Sequence, residues 1–293
     1  MLFQKVQVAP ELYQLFKGGS KTYFNSSLFF PVDVRSEVFR LYAFVRKADN
    51  YVDSIPQDAE GFYRFRREYE KAVNGYTVSD VVIREYVALA ERKDFNLAWT
   101  EAFLDAMESD LYRKTYYTVE ELCEYMYGSA EVIGLFMAKI MDLPEESYIY
   151  ARFLGRAMQY INFIRDIRED FILGRQYLPL NELRKHGIES FEPGEFCGKQ
   201  SQFNQFIREQ IHRYFEWQKF AEKGYRYIPY RYLIPIKTAA DMYKWTAKMI
   251  YRTPWIVFLR KVKPWKPRII YSANTNFVRA LRHKIPLGGL VWP

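Results

Sequence analysis

The amino-acid sequence predicts an all-α protein folded as a single helical bundle. Apolar residues recur at helical spacing along most of the 293 residues, whereas the alternating pattern of strands is almost absent. Hydrophobic residues make up 49% of the chain and charged residues 27%, which is enough apolar surface for a substantial core. Internal repeats and Gly/Ser-rich linkers are missing as well. We therefore expect one domain spanning residues 1–293, with a site formed by side chains of facing helices.

The first helix that the spacing predicts carries an apolar stripe from Val34 to Ile55. Its apolar positions alternate in steps of four and three, as one buried helix face requires. Pro31 precedes the stripe, and Asp33 is the expected N-cap, because a short carboxylate can accept a hydrogen bond from a free backbone N–H. The helix should therefore begin next to Asp33.

The later helices follow from the same spacing and from helix-start signals. Thr118 and Glu121 form a capping-box pattern, which predicts a helix that continues through Met141. Pro144 precedes two glutamates at the start of another helix, which should run to about Ile172. The other predicted helices cover residues 59–73, 80–92, 95–111, 201–223 and 235–251. The polar stretch 186–202 contains three glycines and one proline, so we expect a long loop there.

Cysteine usage and the chain start bear on the cellular compartment. The sequence has two cysteines, Cys123 and Cys197, so no disulfide framework is implied and a reducing cytoplasm is the natural location. The N-terminal residues lack the pattern of a signal peptide, and no run reaches the roughly 18 apolar residues of a membrane span. We expect a cytoplasmic protein unless its surface binds a membrane.

Positive charge is concentrated at the C-terminal end. The net charge is +8, and residues 242–293 contain eleven lysines and arginines and no acidic residue. Aromatic residues of the kind that favour a lipid headgroup region lie among them: Trp255, Trp265, Tyr271 and Trp292. Two interpretations stay open, a solvated basic tail whose first part binds anions and a peripheral contact with the inner face of the cell membrane. No nucleic-acid recognition motif accompanies the basic residues, so nucleic acid is not an expected partner.

Two acidic motifs lie at the margins of predicted apolar stripes. In RKADNYVD, Asp49 and Asp53 are one helical turn apart on the same face, where two like charges repel by a few tenths of a kcal/mol. In QYINFIRDIREDF, three polar residues recur every four positions: Asn162, Asp166 and Asp170. Either motif alone could be a charged edge that pairs with nearby arginines. Two such motifs, each accompanied by Arg, favour oxygen ligands for Mg²⁺ and cations for a polyphosphate.

Other chemistries have little support in the sequence. The three histidines are scattered, and neither they nor the cysteines have zinc-ligand spacing. There is no P-loop and no GxGxxG before a helix. GSAEVIG, at residues 128–134, lies within a predicted helix, where small residues permit close helix packing or a close approach of the backbone to a ligand.

With both acidic helices placed, the chain resembles the squalene/phytoene synthase family of head-to-head isoprenoid synthases from about Gly19 to Arg260. Five motifs carry the resemblance: SKTYF near Ser20, YAFVRKADNYVD, YMYGSAEVIG, QYINFIRDIREDF and GRQYLP. GRQYLP and the short C-terminus look more like prokaryotic phytoene synthases than eukaryotic squalene synthases. The resemblance implies an all-α bundle of the isoprenoid synthase type, with a central active-site cavity.

The resemblance also assigns roles to individual residues. The metal ligands are Asp49, Asp53, Asn162, Asp166 and Asp170. The diphosphate contacts are Ser20, Lys21, Arg46, Arg165 and Arg260. The residues that line the reaction centre are Tyr42, Tyr127, Gln159 and Tyr243. Two positions depart from the family pattern: Asn50 stands where many members have Asp, and Glu131 stands where a small residue beside the substrate channel is common.

The reaction that the resemblance implies joins two geranylgeranyl diphosphates to phytoene with Mg²⁺, or Mn²⁺ in its place. The alternative joins two farnesyl diphosphates to dehydrosqualene, squalene or presqualene diphosphate, and NADPH is expected only for squalene. Small residues at Ser26 and Ser27 favour a deep pocket and the longer substrate. A terpene cyclase fits less well, because its second motif usually has Ser or Thr in place of Asp166 and Glu in place of Asp170. A helical protein that binds membranes or nucleic acid through its basic tail would leave the acidic helices unexplained.

Overall fold

Helical apolar spacing is realised in fifteen α-helices in this computed structural model, which describes residues 8–19 and 21–284. The described residues contain no strand, and their β-structure is limited to one bridge between Thr115 and Gln176. The helices are α1 (Pro10–Gly19), α2 (Lys21–Ser27), α3 (Val32–Asp53), α4 (Ala59–Val73), α5 (Val81–Arg92), α6 (Leu97–Tyr112), α7 (Val119–Met126), α8 (Val132–Ile140), α9 (Tyr148–Arg165), α10 (Ile167–Ile172), α11 (Leu180–Lys185), α12 (Gln200–Glu222), α13 (Tyr230–Arg252), α14 (Ile256–Leu259) and α15 (Lys266–Lys284). The all-α prediction is confirmed.

Helices α3 and α9, with the short α10 that follows α9, carry the acidic motifs into the interior of the bundle. Helix α3 packs against α1, α4, α5 and α6, while α9 packs against α8, α12 and α13. Buried apolar side chains from α1 to the segment after α14 form one continuous cluster around them. The polar motif residues therefore lie at the boundary between this core and an internal space.

Capping side chains stand at four of the eight helix starts that the sequence predicts, those of α4, α5, α6 and α7. The Asp80 carboxylate accepts from the N–H groups of Val82 and Ile83, and the Thr118 hydroxyl accepts from Glu121 N at 3.2 Å. The second half of the capping box differs, because the Glu121 carboxylate accepts from Tyr117 N at 2.9 Å instead of from Thr118 N. Each of these bonds satisfies a backbone N–H that has no partner within the helix.

The predicted N-cap of α3 was wrong. This helix begins at Val32, with Pro31 at the N-cap and no capping side chain. The Pro31 carbonyl accepts from Arg35 N at 2.8 Å, so the helical hydrogen bonds begin two residues earlier than Asp33 would allow. The fixed φ of proline already suits this position, which makes a side-chain cap unnecessary.

Two long helices also differ from their predicted bounds. The helix predicted to continue to Ile172 is interrupted at Asp166, where φ is −102° and ψ is 15°, and α10 then packs against α14. Helix α13 begins at Tyr230 and contains Pro235, which the pattern placed at the helix start. The predicted loop at 186–202 is confirmed in the main, since residues 186–199 hold only a short 3-10 turn, Pro193–Phe196.

Small residues bring α8 and α9 into close contact. A π-helical turn, Tyr127–Glu131, joins α7 to α8 within the GSAEVIG region. A Cβ atom at Gly134 would lie 2.1 Å from the carbonyl oxygen of Ala151, and one at Gly155 would lie 2.2 Å from that of Ala130. Only glycine permits such backbone approach, so the packing interpretation of this motif is confirmed.

Residues 266–284 of the basic C-terminal segment form a helix that packs on the bundle. Helix α15 lies against α13, and the Asp241 carboxylate accepts from Ser272 Oγ at 3.2 Å and from Asn276 Nδ2 at 3.0 Å. Ile269 and Ala273 are buried on the same side. Helix α15 therefore packs on the bundle, which differs from the solvated tail that the sequence left open. Among residues 8–19 and 21–284, no helix has the length and apolar character that crossing a bilayer requires.

Candidate active site

A cavity of about 680 Å³ runs between α3 and α9 and is also lined by α2, α6, α8 and α13. On α9 its lining residues extend from Asn162 back to Tyr150, a distance of about 18 Å at the helical rise. One end is lined by the acidic motifs and the other by apolar residues such as Leu154 and Ile236. The cavity thus offers a charged end and an apolar interior to one ligand.

The first acidic motif presents a full helix face to the charged end. Tyr42, Arg46, Asp49 and Asp53 all line the cavity, at the three- and four-residue spacing of one face of α3. Arg46 forms an ion pair with Asp49. The position of Asp49 inside the cavity, away from bulk water, together with the charge of Asp53, raises its pKa to about 7, although Arg46 opposes the shift. Arg46 therefore offsets only part of the repulsion expected between Asp49 and Asp53.

The second motif faces the first across the cavity. Gln159, Asn162 and Arg165 come from the last turns of α9, Asp166 from the interruption, and Asp170 from α10. Burial, with the charges of Asp166 and Asp53, raises the pKa of Asp170 well above its ordinary value. Because the charge of Asp53 contributes to the raised pKa of Asp170, the carboxylates of the two motifs are close enough to interact electrostatically.

Asp166 differs from the other carboxylates because two cations hold it. Arg165 donates from Nε to Asp166 Oδ1 at 2.7 Å and from Nη2 to Oδ2 at 2.5 Å, and Lys261 Nζ lies 2.9 Å from Oδ1. Burial alone would raise the pKa of Asp166, but the bonds and charges of Arg165 and Lys261 bring it below the ordinary value. Both cations also line the cavity, so they are available to an anionic ligand there.

The structure adds a group that the motif assignments omitted. Arg175 is buried and donates from Nη1 to Asp53 Oδ1 at 2.7 Å and from Nη2 to the Val52 carbonyl at 2.5 Å. Its Nη1 also lies 3.9 Å from Asp110, whose carboxylate accepts from the hydroxyls of Tyr125 and Tyr177 at 2.8 and 2.9 Å. Arg175 belongs to the GRQYLP motif, so the sequence did offer a signal that this arginine is functional. Nothing in the sequence around Asp110 marks that residue.

Aromatic side chains surround the charged end. Tyr23 on α2 lies 5.8 Å from Tyr243 between ring centroids, and its hydroxyl donates to Met158 Sδ at 3.5 Å. Tyr42 stacks on Phe16 at 4.0 Å. Tyr23, Tyr42 and Tyr243 all line the cavity, so their rings border the space next to the acidic motifs. Tyr23 stands inside the SKTYF motif but was not singled out from the sequence.

Two of the sequence-assigned residues, Arg260 and Tyr127, lie outside this arrangement, and the structure does not describe the side chains of two others. Arg260 is exposed and does not line the cavity, and Lys261 and Lys263 line it in that segment. Tyr127 lines a separate cavity of about 480 Å³. Ser20 lies outside the described residues, and the side chain of Lys21 is likewise not described.

Glu131 has a different position from the one that its family counterpart suggests. The side chain is fully buried and does not line the large cavity. Its two oxygens accept from Arg152 Nε at 2.9 Å and Arg156 Nε at 2.6 Å, both on α9. Glu131 therefore ties the π turn to α9, and the buried charge is paired as burial requires.

The donor set at the charged end suits a hard divalent cation. The carbonyl oxygen of the Asn162 side chain is buried without a hydrogen-bond partner, and Asp49 and Asp170 have raised pKa values. All these donors are oxygens, as Mg²⁺ prefers. In the described part of the chain no three acidic, histidine or cysteine side chains converge tightly enough to hold an ion by themselves. Mg²⁺ in proteins is commonly bound by one or two carboxylates together with waters and substrate phosphates.

The chain is similar in sequence to several curated proteins. A phytoene synthase from Solanum lycopersicum is 26% identical over 283 residues, covering 89% of this chain and 87% of that protein. A phytoene synthase from Thermus thermophilus is 34% identical over 181 residues, or 61% of each chain. A 4,4'-diapophytoene synthase from Staphylococcus haemolyticus is 27% identical over 183 residues, covering 60% of this chain and 64% of that protein.

A solved structure matches the fold. The structure of a dehydrosqualene synthase in complex with ligand superposes with a TM-score of 0.83 at 20% identity, over 92% of this chain and 95% of that one. At this identity the likeness shows the fold alone, which is the expected all-α isoprenoid synthase type. The family model for squalene/phytoene synthase matches residues 16–268, which include both acidic motifs. This chain therefore belongs to the squalene/phytoene synthase family.

Proposed function

We propose that this chain joins two molecules of geranylgeranyl diphosphate head to head to form phytoene, the first step of carotenoid biosynthesis. One observation carries the proposal: two acidic motifs and three cations (Arg46, Arg165 and Lys261) meet at one end of a long cavity whose other end is apolar. A prenyl diphosphate has the matching form, an anionic head on a long apolar tail. The similarity to curated phytoene synthases supports the same assignment.

The charged end would bind and orient the diphosphate. The three cations can donate charge-assisted hydrogen bonds to phosphate oxygens. Mg²⁺ or Mn²⁺, held by Asp49, Asp53, Asn162, Asp166 and Asp170, would supply the positive charge that lets diphosphate depart from an allylic carbon.

The aromatic and apolar walls would control the carbocation that remains. The faces of Tyr23, Tyr42 and Tyr243 lie beside the charged end, and an aromatic face stabilises a desolvated cation by up to about 2 kcal/mol. Because the apolar cavity excludes water, the cation is not trapped as an alcohol. The double bond of the second substrate then attacks and gives a cyclopropylcarbinyl diphosphate, prephytoene diphosphate. Ionisation and rearrangement of this intermediate form phytoene, and each of the two stages releases one diphosphate and one proton.

Substrate length separates the proposal from its main alternative, the joining of two farnesyl diphosphates. The similarity to a protein named 4,4'-diapophytoene synthase supports that alternative. Ser26 and Ser27 line the cavity and are buried, and their hydroxyls donate to the carbonyls of Tyr23 and Phe24. They therefore leave the cavity wide at this point, which favours the longer tail.

A product assay tests the proposal. Purified protein is incubated with Mg²⁺ and either geranylgeranyl or farnesyl diphosphate, with and without NADPH, and the apolar extract is analysed. We expect a C40 hydrocarbon that does not require NADPH. A C30 hydrocarbon would move the assignment to farnesyl diphosphate, with squalene indicated if NADPH is required. No hydrocarbon from either substrate would contradict the enzymatic proposal.

Variants connect the assay to the site. Asp53→Asn or Asp166→Asn should leave the fold intact by circular dichroism and remove most activity, whereas Asp142→Asn, at an exposed position that pairs with Lys93, should have no effect. Near-normal turnover of both aspartate variants would show that the carboxylates have a structural role.

Ser26→Phe should reduce the use of geranylgeranyl relative to farnesyl diphosphate by at least about tenfold, with Ser26→Ala as the matched control.

A further inference from the structure

A second cavity of about 480 Å³ lies beside the main cavity, between α7, the π turn, α9 and α12. The π turn and α9 contribute residues to both spaces. Ala130 and Gly155 line the main cavity, whereas the next residue in each case, Glu131 or Arg156, lines the second one. The second cavity is therefore distinct from the proposed active site and shares a wall with it. Its volume falls in the range of small-molecule sites in proteins.

Three arginines line this second cavity, which we call the arginine cavity: Arg152, Arg156 and Arg213. Arg152 Nε and Arg156 Nε donate to the buried carboxylate of Glu131 at 2.9 and 2.6 Å. A guanidinium has a further hydrogen-bonding edge, formed by Nη1 and Nη2. The structure records no hydrogen bond from that edge of Arg152 or Arg156 to another described residue. Both arginines can therefore donate to an additional acceptor in the cavity.

The charges of the arginine cavity favour an anion with a single negative charge. One carboxylate, that of Glu131, stands between Arg152 and Arg156, so one positive charge is left uncompensated. Arg213 is paired with Glu182 through bonds of 2.9 and 2.6 Å and adds little to the balance. A carboxylate would neutralise the remaining charge, whereas a phosphate dianion would exceed it.

Aromatic rings in the lining hold two of the guanidinium groups in position. Arg152 Cζ lies 5.1 Å from the centroid of the Tyr127 ring. Arg156 Cζ lies 5.3 Å from the centroid of the Trp217 ring. These contacts restrict both arginines before a ligand arrives, so binding loses less conformational entropy. The same two rings give the cavity an apolar wall beside its charged groups.

Two glutamates, Glu120 and Glu124, line the cavity where it meets solvent. Both are exposed, and neither forms an ion pair in the described part of the chain. Water and salt therefore screen their charge, which weakens the attraction of the half-buried guanidinium groups for an anion but does not cancel it. Their repulsion is larger for a dianion, so they add to the preference for a single negative charge.

We propose that the arginine cavity binds a small organic carboxylate. The carboxylate group would accept from the Nη edges of Arg152 and Arg156, and the apolar part of the ligand would lie against Trp217. The proposal assigns a role to Tyr127 and Glu131, which line this cavity and not the main one. It does not rest on the proposed function, since no residue of the two acidic motifs lines the arginine cavity.

Isothermal titration calorimetry of the full chain with benzoate, in the presence of EDTA, tests the proposal. Benzoate should bind, and acetate should bind about tenfold more weakly because it lacks a ring that covers apolar surface. Benzyl alcohol, which has the ring without the charge, should not bind detectably. Arg152→Gln should weaken benzoate binding by at least about tenfold. Arg40→Gln, at a half-buried arginine that pairs with Glu85, is the matched control and should bind like the wild type.

A second variant keeps the test valid if Arg152→Gln lowers the melting temperature through its lost bond to Glu131. Glu124→Lys changes an exposed residue of the cavity and should tighten benzoate binding about threefold, because it replaces a repelling charge with an attracting one. Glu91→Lys, at an exposed position elsewhere, is its control and should leave the affinity unchanged.

Several outcomes would overturn the proposal. These are absence of benzoate binding, equal binding of benzyl alcohol, and an affinity that a folded Arg152→Gln variant retains or that Glu124→Lys leaves unchanged. Tighter binding of inorganic phosphate than of benzoate would overturn the carboxylate assignment. A loss of binding in Lys261→Gln would do the same, because benzoate would then occupy the main cavity. None of these results depends on product formation, so they are independent of the enzyme assay.

Discussion

Asp53 is held by a guanidinium that is itself almost fully buried. Arg175 binds the Asp53 carboxylate and the Val52 carbonyl at the same time, with two nitrogens of one planar group. A planar fork fixes the direction of its acceptor, which a single ammonium cannot do. Arg175 is therefore a positioning residue that sets the orientation of Asp53 at the end of α3.

Arg175→Lys should lower kcat more than it raises KM. The lysine keeps the charge but cannot reach both acceptors, and a misdirected Asp53 should cost about tenfold to a hundredfold in kcat. Steady-state kinetics on the purified variant measure the effect. Arg184→Lys, at an exposed arginine that pairs with Glu189, is the matched control and should behave like the wild type. An unchanged kcat in Arg175→Lys would mean that the fork does not position Asp53.

Asp110 makes the stability of the chain depend on pH. Burial raises the pKa of this carboxyl to about 6, although Arg175 and the hydroxyls of Tyr125 and Tyr177 oppose the shift. In the unfolded chain the group ionises near pH 4. Between about pH 4 and 6 the folded state keeps a proton that the unfolded state has lost, so the contribution of Asp110 to folding stability falls as pH rises.

Asp110→Asn should remove this dependence. From about pH 4 to pH 7 the free energy of unfolding of the variant should gain about 2 kcal/mol relative to the wild type, because the wild type alone must ionise a buried carboxyl. Urea unfolding at both pH values, with EDTA present, gives the difference. Parallel pH curves for the two proteins would contradict the assignment of this shift to Asp110.

At the scale of elements, the contact between α8 and α9 decides where the second motif lies. Gly155 of α9 meets the Ala130 carbonyl of the π turn, and Gly134 of α8 meets the Ala151 carbonyl of α9. The same helix, α9, carries Gln159 and Asn162 one and two turns further on. A displacement of α9 at the glycine contacts would therefore move the motif away from α3.

Gly155→Ala should destabilise the protein by about 1–3 kcal/mol, since the added Cβ must displace a backbone carbonyl rather than a flexible side chain. The cost should appear as a lower melting temperature and as reduced activity, because α9 moves as a unit. Gly194→Ala, where a Cβ would meet nothing within 4 Å, is the control and should leave both unchanged. Equal melting temperatures for the two variants would show that the contact can relax freely.

Local patterns predicted the elements that have strong periodicity, and missed those that long-range packing creates. The helix over residues 59–73 was predicted with its observed bounds, and the face of α3 that lines the cavity followed from the spacing of Asp49 and Asp53. The interruption at Asp166 was missed, because it depends on the packing of α10 against α14, more than eighty residues later in the chain. Asp110 was missed because nothing near it in the sequence marks it, and Arg175 was missed although it lies in GRQYLP, because its contacts with Asp53 and Asp110 form only in the fold.

At the scale of the whole molecule, several carboxyl groups crowd around one end of the cavity. Carboxylates from α3, α9–α10 and α6 converge there, and the pKa values of Asp49, Asp110 and Asp170 are raised. A raised carboxyl pKa means that ionisation of the group opposes folding at neutral pH. A ligand that brings positive charge to this end should therefore stabilise the entire fold and not only the site.

Mg²⁺ and inorganic diphosphate together should raise the melting temperature of the chain. Binding at a hundred times the dissociation constant contributes about 2.7 kcal/mol, which for a protein of this size corresponds to about 5–10 °C. Either component alone should have a smaller effect, because Mg²⁺ lacks the phosphate oxygens that complete its coordination and diphosphate lacks the charge that offsets the carboxylates. Differential scanning fluorimetry with both, each and neither measures this, and EDTA should reverse the shift. Asp53→Asn should lose most of the joint effect, whereas Asp142→Asn should keep it. A shift that diphosphate produces without the metal, or that Asp53→Asn retains, would show that the acidic motifs do not form a metal site.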